Sequence, residues 1–159
     1  MISINIIKEE LLHGIETEIH AVERQRKLQE TPIIVNEDNR YAVLRDIDTA
    51  YNKVLARVQA YLCPVGNAHR ITTNHTKDWE ERSFTLHIPD WPLTNIDTLR
   101  DAVHQYIVKS AVFAILSVNL PGDPYLPVLM QQRDDAYDDI NVLINQRVHP
   151  VRIHPTFLG

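Results

Sequence analysis

Eight histidines and a single cysteine are the residues here whose chemistry depends most on spacing. His13, Glu16 and His20 recur at intervals of three and four, which on a helix brings them to one face. A structural metal site wants about four ligands. No His-Glu-x-x-His and no paired cysteines supply the remainder, so these groups read as solvated surface residues. His149 and His154 are five apart and would point to opposite faces of a regular strand, as polar edges of an interaction segment. His104 reads as a satisfied buried histidine or an interface residue. Cys63 has no second cysteine to pair with, and in Tyr61-Leu-Cys-Pro64 it reads as a small apolar side chain at a helix end.

The carboxylates give no sharper signal. Asp134, Asp135, Asp138 and Asp139 lie in a stretch that is helical by context, whereas calcium loops need irregular, glycine-bearing backbone between their acids. They read as a charged face able to repel or steer a charged partner. The four glycines are scattered, no Gly-x-Ser-x-Gly occurs, and nothing sets a nucleophile beside a base. The expectation is no catalytic residue, no cofactor, no metal and no small-molecule substrate. The formal charge of −5, from 16 basic and 21 acidic residues, argues against a protein that coats nucleic acid. It leaves room for a passage through which nucleic acid slides without sticking. The longest apolar run, Ala111 to Leu116, is far short of the ~20 residues of a membrane span. Lys8, Glu9 and Glu10 break any signal-peptide core. The chain is expected in a reducing cytoplasm, away from membranes.

A chain of 159 residues fits one domain with its own core. The fold class expected is mainly α: about four helices with an inserted β-hairpin and an extended C-terminal tail. Residues 1–35 read as an N-terminal helix and extended link. Ile4, Ile7, Leu11, Ile15, Ile19 and Val22 form its stripe, with a break or bend at Gly14. Ile33-Ile34-Val35 could pair briefly as a strand. Residues 36–64 and 95–147 supply the bundle. In the first of these, Asp38 or Asn39 is the expected N-cap, and Leu44, Ile47, Tyr51, Val54, Val58 and Leu62 form a stripe that Pro64 and Gly66 terminate. Asp48 falls among the polar remainder. The next helix opens after Thr94-Asn95, is carried inward by Leu99, Val103, Tyr106 or Ile107, Ser110, Ala114 and Leu116 to Val118, and should be most buried from Ala111 to Leu120. Pro121-Gly122-Asp123-Pro124 is a turn in which Asp123 can cap the last helix. In that helix Leu129, Ala136, Ile140, Leu143 and Ile144 face inward.

Residues 67–92 change period. His69–Thr73 and Ser83–Ile88 alternate as strands do and suggest a hairpin whose polar tip, Lys77–Arg82, is mobile. Trp91 reads as the anchor of its base. Trp79 and Arg82, in the polar flap, are candidate interaction residues, with a packing tryptophan as the other reading of Trp79. Residues 148–159 carry Pro150 and Pro155, which enforce an extended path. Val151, Arg152, Ile153, Phe157 and Leu158 are the interaction candidates there. The segment packs on its own bundle or, in the favoured reading, reaches a neighbour and adds a strand at an edge.

The order of parts resembles a family. Leu44-Arg-Asp-Ile-Asp-x-Ala-Tyr51 opens a helix that ends in Ala60-Tyr-Leu-Cys-Pro64. After an insertion come Leu99-Arg-Asp-Ala-Val-x-x-Tyr106 and a closing Asp134-Asp-Ala-Tyr-Asp-Asp-Ile-Asn-Val-Leu-Ile144. Over Tyr41 to Arg147 this resembles the head–tail connector (adaptor, head-completion) proteins of tailed bacteriophages and prophages. The long insertion and the extended first helix depart from that pattern. The resemblance implies a homo-oligomeric ring, commonly of twelve subunits, that bridges portal and tail proteins in the virion. Such a ring lines the DNA channel and has no catalytic residue or cofactor. Competing readings are a tail-terminator or contractile-injection baseplate component, a small metal-dependent hydrolase using His and Asp, and a ligand-binding or regulatory module.

Overall fold

The computed structural model describes residues 1–27, 37–63 and 79–148. Those residues are mainly helical, with four helices and one antiparallel pair of strands. The chain opens with strand β1 (Ile2–Ile7), which runs directly into helix α1 (Lys8–Arg26). Helix α2 is Glu37–Arg57, strand β2 is Glu81–Leu86, and helices α3 (Ile96–Asn119) and α4 (Tyr125–Asn145) form a closing antiparallel pair. Helix α3 packs against α1, α2, α4 and β1, so it is the axis of the fold.

The N-terminus corrects the expected single helix. Ile2, Ile4 and Ile6 are buried while Ser3, Asn5 and Ile7 are exposed, a period of two. Ile4, Ile7 and Leu11 fit a helical stripe equally well, and long-range pairing decides between the two periods. Ile2 pairs with Leu86 and Ile7 with Glu81 in an unbroken antiparallel register. The partner of β2 is therefore the N-terminal strand. The other strand expected in a hairpin, His69–Thr73, lies outside the described residues, as do Ile33–Val35. On its far side β2 is held by the chain after α2: the Cys63 amide donates to the Thr85 carbonyl and the His87 amide to the Tyr61 carbonyl, at 2.9 and 2.8 Å.

Gly14 does not break α1. A Cβ there would lie 3.3 Å from Val108 Cγ2, so the missing side chain lets α1 and α3 approach closely. The C-terminus of α1 is closed by Lys27 in the left-handed region (φ 53°), whose amide returns to Arg24 and Glu23 carbonyls. Asp38 and Asn39 stand inside α2, which is already helical at Glu37, and so are not its N-cap. Helix α2 also stops earlier than Pro64. It ends at Arg57 and passes through a 3₁₀ turn, Gln59–Tyr61.

Leu44, Ile47, Tyr51, Val54, Val58, Leu99, Val103, Ile107, Leu129, Ile140 and Ile144 are buried as their period requires, and Ala114 and Leu143 are half-buried. The last turn of α3 is a correction. Val118, expected to face inward, is 80% exposed between Ser117 and Asn119, so burial fades before Leu120. Two tethers fix the ends. Asp123 accepts the Tyr125 amide (2.8 Å) and takes Arg26 in a bidentate pair at 2.7 and 2.9 Å, which ties the end of α1 to the α3–α4 turn. That guanidinium is the main reason the Asp123 carboxyl titrates below the usual range. At the other end, buried Trp91 donates from Nε1 to the Leu143 carbonyl at 2.6 Å, and the Val148 amide donates to the Asp90 carbonyl at 2.7 Å.

Candidate functional site

Two of the sequence-derived interaction residues meet in one place. Asp48, on α2, is 1% exposed and not a surface residue. Its Oδ1 accepts Arg82 at 2.7 Å and the Trp79 indole N–H at 3.2 Å. The Arg82 guanidinium also lies over the Trp79 ring (4.5 Å) and the Tyr51 ring (5.3 Å). Tyr51 in turn sits edge-on to Phe84. Arg82 thus joins the start of β2 to the buried side of α2 through charge, hydrogen bond and ring contact together. This is the packing alternative for Trp79, which is half-buried against the core. The tip expected to be mobile is tethered at its C-terminal side, from Trp79 to Arg82. Sequence reasoning missed Asp48, because a carboxylate beside Ile47 looks like the polar flank of a helix until its partners are known.

The Tyr51 hydroxyl is buried without a hydrogen-bond partner among the described residues. Burial pushes its phenol up to about 12, against a smaller opposing effect of Arg82.

The sheet carries a second notable feature. The Lys8 amide donates to the Glu80 carbonyl at 2.9 Å, one step beyond the Ile7–Glu81 pair. In an antiparallel ladder the bonded positions alternate. Ile2, Ile4 and Ile6 therefore bond across to β2, and the backbone groups of Ser3, Asn5 and Ile7 point away from it. The contacts of Thr85, and of His87 just after β2, with Cys63 and Tyr61 agree, since these residues face away from β1 by the same alternation. The outer edge of β1 is unpaired among the described residues, and Ser3, Asn5 and Ile7 are exposed.

Among the described residues, two clefts flank α3. One, of about 410 Å³, lies between α3 and α4, with Ala102, Ala136, Val142 and Leu143 below a rim of Asp101, Asp139 and Gln105. The other, of about 180 Å³, lies between α2 and α3 and is bordered by Asp46, Lys53, Ser110 and Arg133. Burial pushes the Asp46 carboxyl up. Ser110 there donates from Oγ to the Tyr106 carbonyl at 2.7 Å. Asp134, Asp135, Asp138 and Asp139 are all exposed along α4.

The histidines among the described residues are dispersed. His20 Nδ1 pairs with Glu23 at 3.2 Å, and His104 packs beside Gly14 at the α1–α3 crossing. Among the described residues no group of three or more His, Cys, Asp or Glu converges as a metal site would need. No helix among them is long and apolar enough to cross a membrane. Val151, Arg152, Ile153, Phe157 and Leu158 lie outside the described residues, together with His149 and His154. No family model, no curated protein and no solved structure matches this chain.

Proposed function

We propose that this chain is a structural subunit of the head–tail connector kind, assembling into a homo-oligomeric ring between portal and tail and lining the passage for DNA. The observation that carries the reading is the placement of the resembling motifs. Leu44–Tyr51, Leu99–Tyr106 and Asp134–Ile144 fall on α2, α3 and α4, with α2 and α4 both packed against α3. Leu44, Ile47, Tyr51, Leu99, Val103, Tyr106, Ala136, Ile140 and Ile144 of these motifs are in the core, and Asp134, Asp135, Asp138 and Asp139 of the closing helix stand in solvent. Four exposed carboxylates repel phosphate, which suits a wall past which DNA moves without being held. The subunit acts by contact rather than by catalysis and takes no cofactor.

Negative-stain imaging of the purified chain tests this, paired with a DNA retention assay at physiological salt. The expected result is closed rings with a central channel and no DNA retained on the protein alone. Compact single particles that hold duplex DNA would contradict both halves of the proposal.

A further inference from the structure

We infer that the outer edge of β1 is an acceptor for an added strand, and that residues 151–154 of a second copy of this chain supply it. The inference rests on the assembly reading only in taking the strand from a neighbour. Its physical ground is the edge itself. From Ile2 to Ile7 the strand has four isoleucines, no proline, no charge and no bulge in its register. Exposed edges of this composition pair readily, and proteins ordinarily blunt them with lysine, proline or a bulge. The outward amides of Ser3, Asn5 and Ile7 form three evenly spaced points of attachment, without a hydrogen-bond partner among the described residues.

The occupant follows from the chemistry the edge requires. An added strand needs free amides and an alternation that continues the buried Ile2, Ile4 and Ile6 on one face and the polar Ser3 and Asn5 on the other. Val151-Arg152-Ile153-His154 alternates in that manner. Pro150 and Pro155 bound it, so pairing stops after four residues and the new edge does not propagate.

That a second copy rather than the same subunit supplies the strand follows from the assembly reading, in which neighbouring subunits lie side by side.

The experiment uses the full chain and hydrogen exchange read by mass spectrometry on the peptide holding residues 2–7. A ¹⁵N-labelled acceptor carries Val151→Asp and Ile153→Asp, with circular dichroism as the control for folding. Alone, its Ser3, Asn5 and Ile7 amides should exchange at least about tenfold faster than in the wild-type chain. Adding unlabelled wild-type chain should slow them again, because its 151–154 segments fill the vacant edges.

Three results overturn the inference. Equal exchange in the wild-type and doubly substituted chains removes the segment as occupant. Slow exchange in both would mean that another strand, such as β1 of a second copy, covers the edge. Protection in the wild type that mixing cannot transfer would mean that the segment folds back on its own subunit. Light scattering on the same samples separates the failures: multi-copy particles that persist with any of these results leave the ring reading standing, whereas a wild-type monomer ends it.

Discussion

Arg82→Ala distinguishes an internal tether from an interface residue, and the structure sets the size of the effect. Removing the guanidinium leaves Asp48, 1% exposed, without the cation at 2.7 Å. Breaking a buried pair by deleting one partner costs about 3–5 kcal/mol, because a desolvated charge stays behind. Here the Trp79 indole still donates to the same carboxylate oxygen, so the lower end, about 3 kcal/mol, applies. The ring contacts with Trp79 and Tyr51 are lost as well, but they share the same side chain and do not simply add. Set against a domain stability of about 5–15 kcal/mol, the variant should fold but unfold at a clearly lower urea concentration with an unchanged slope. Asp48→Asn combined with Arg82→Met, which removes both charges, should recover most of the loss. A change below about 0.5 kcal/mol in Arg82→Ala would refute the tether, since that is the range of ordinary surface substitutions. If assembly failed with such a small change, Arg82 would be an interface residue instead.

Substitutions at three further positions test other parts of the account. Tyr51→Phe removes a buried hydroxyl that has no partner among the described residues, so it should be neutral or stabilising at pH 7. The phenol is raised from 10 to about 12 in the folded chain, so its contribution is complete below pH 10 and disappears as pH rises toward 12. Urea titrations should show an alkaline loss that is larger by about 2–3 kcal/mol in the wild type than in the variant, which keeps the smaller loss from the raised Tyr106 phenol. Ile140→Ala, at a fully buried position under α3, should cost about 2–5 kcal/mol by the same measurement, and a loss below half a kcal/mol would contradict the α3–α4 core. Gly14→Ala should gain little despite a helix preference of about 1 kcal/mol. The new Cβ meets the buried Val108 methyl at 3.3 Å. Gly14→Leu should lose about 1–3 kcal/mol, and a clear rise in melting temperature for either variant would contradict the close α1–α3 crossing.

The parts of the fold legible in the sequence are those that local periodicity determines. Leu44, Ile47, Tyr51 and Val54, or Leu129, Ala136 and Ile140, repeat at intervals that only a helix brings to one face, and they are buried accordingly. The Pro121–Pro124 turn was legible for a similar reason, because Asp123 has a local task at the start of α4, which it performs. What escaped depends on pairing between distant residues. Ile2, Ile4, Ile6 and Ile7 satisfy two periods at once, and the register with Glu81–Leu86 selects the strand. Asp48 and Arg82 are more than thirty positions apart, so neither announces the other. Val118 shows the converse: it is apolar at the end of a largely apolar helix, yet exposed, with the polar Ser117 and Asn119 on either side. For the candidate site, the flap residues were picked out by type, but their partner was not. The β1 edge was hidden by the same misread period.

The mass of the particle that the full chain forms in solution tests the central claim most directly. Native mass spectrometry across a range of protein concentrations should give one dominant closed assembly at a fixed multiple of the 18.4 kDa subunit, commonly twelve copies. A mass of one subunit at every concentration would contradict the account.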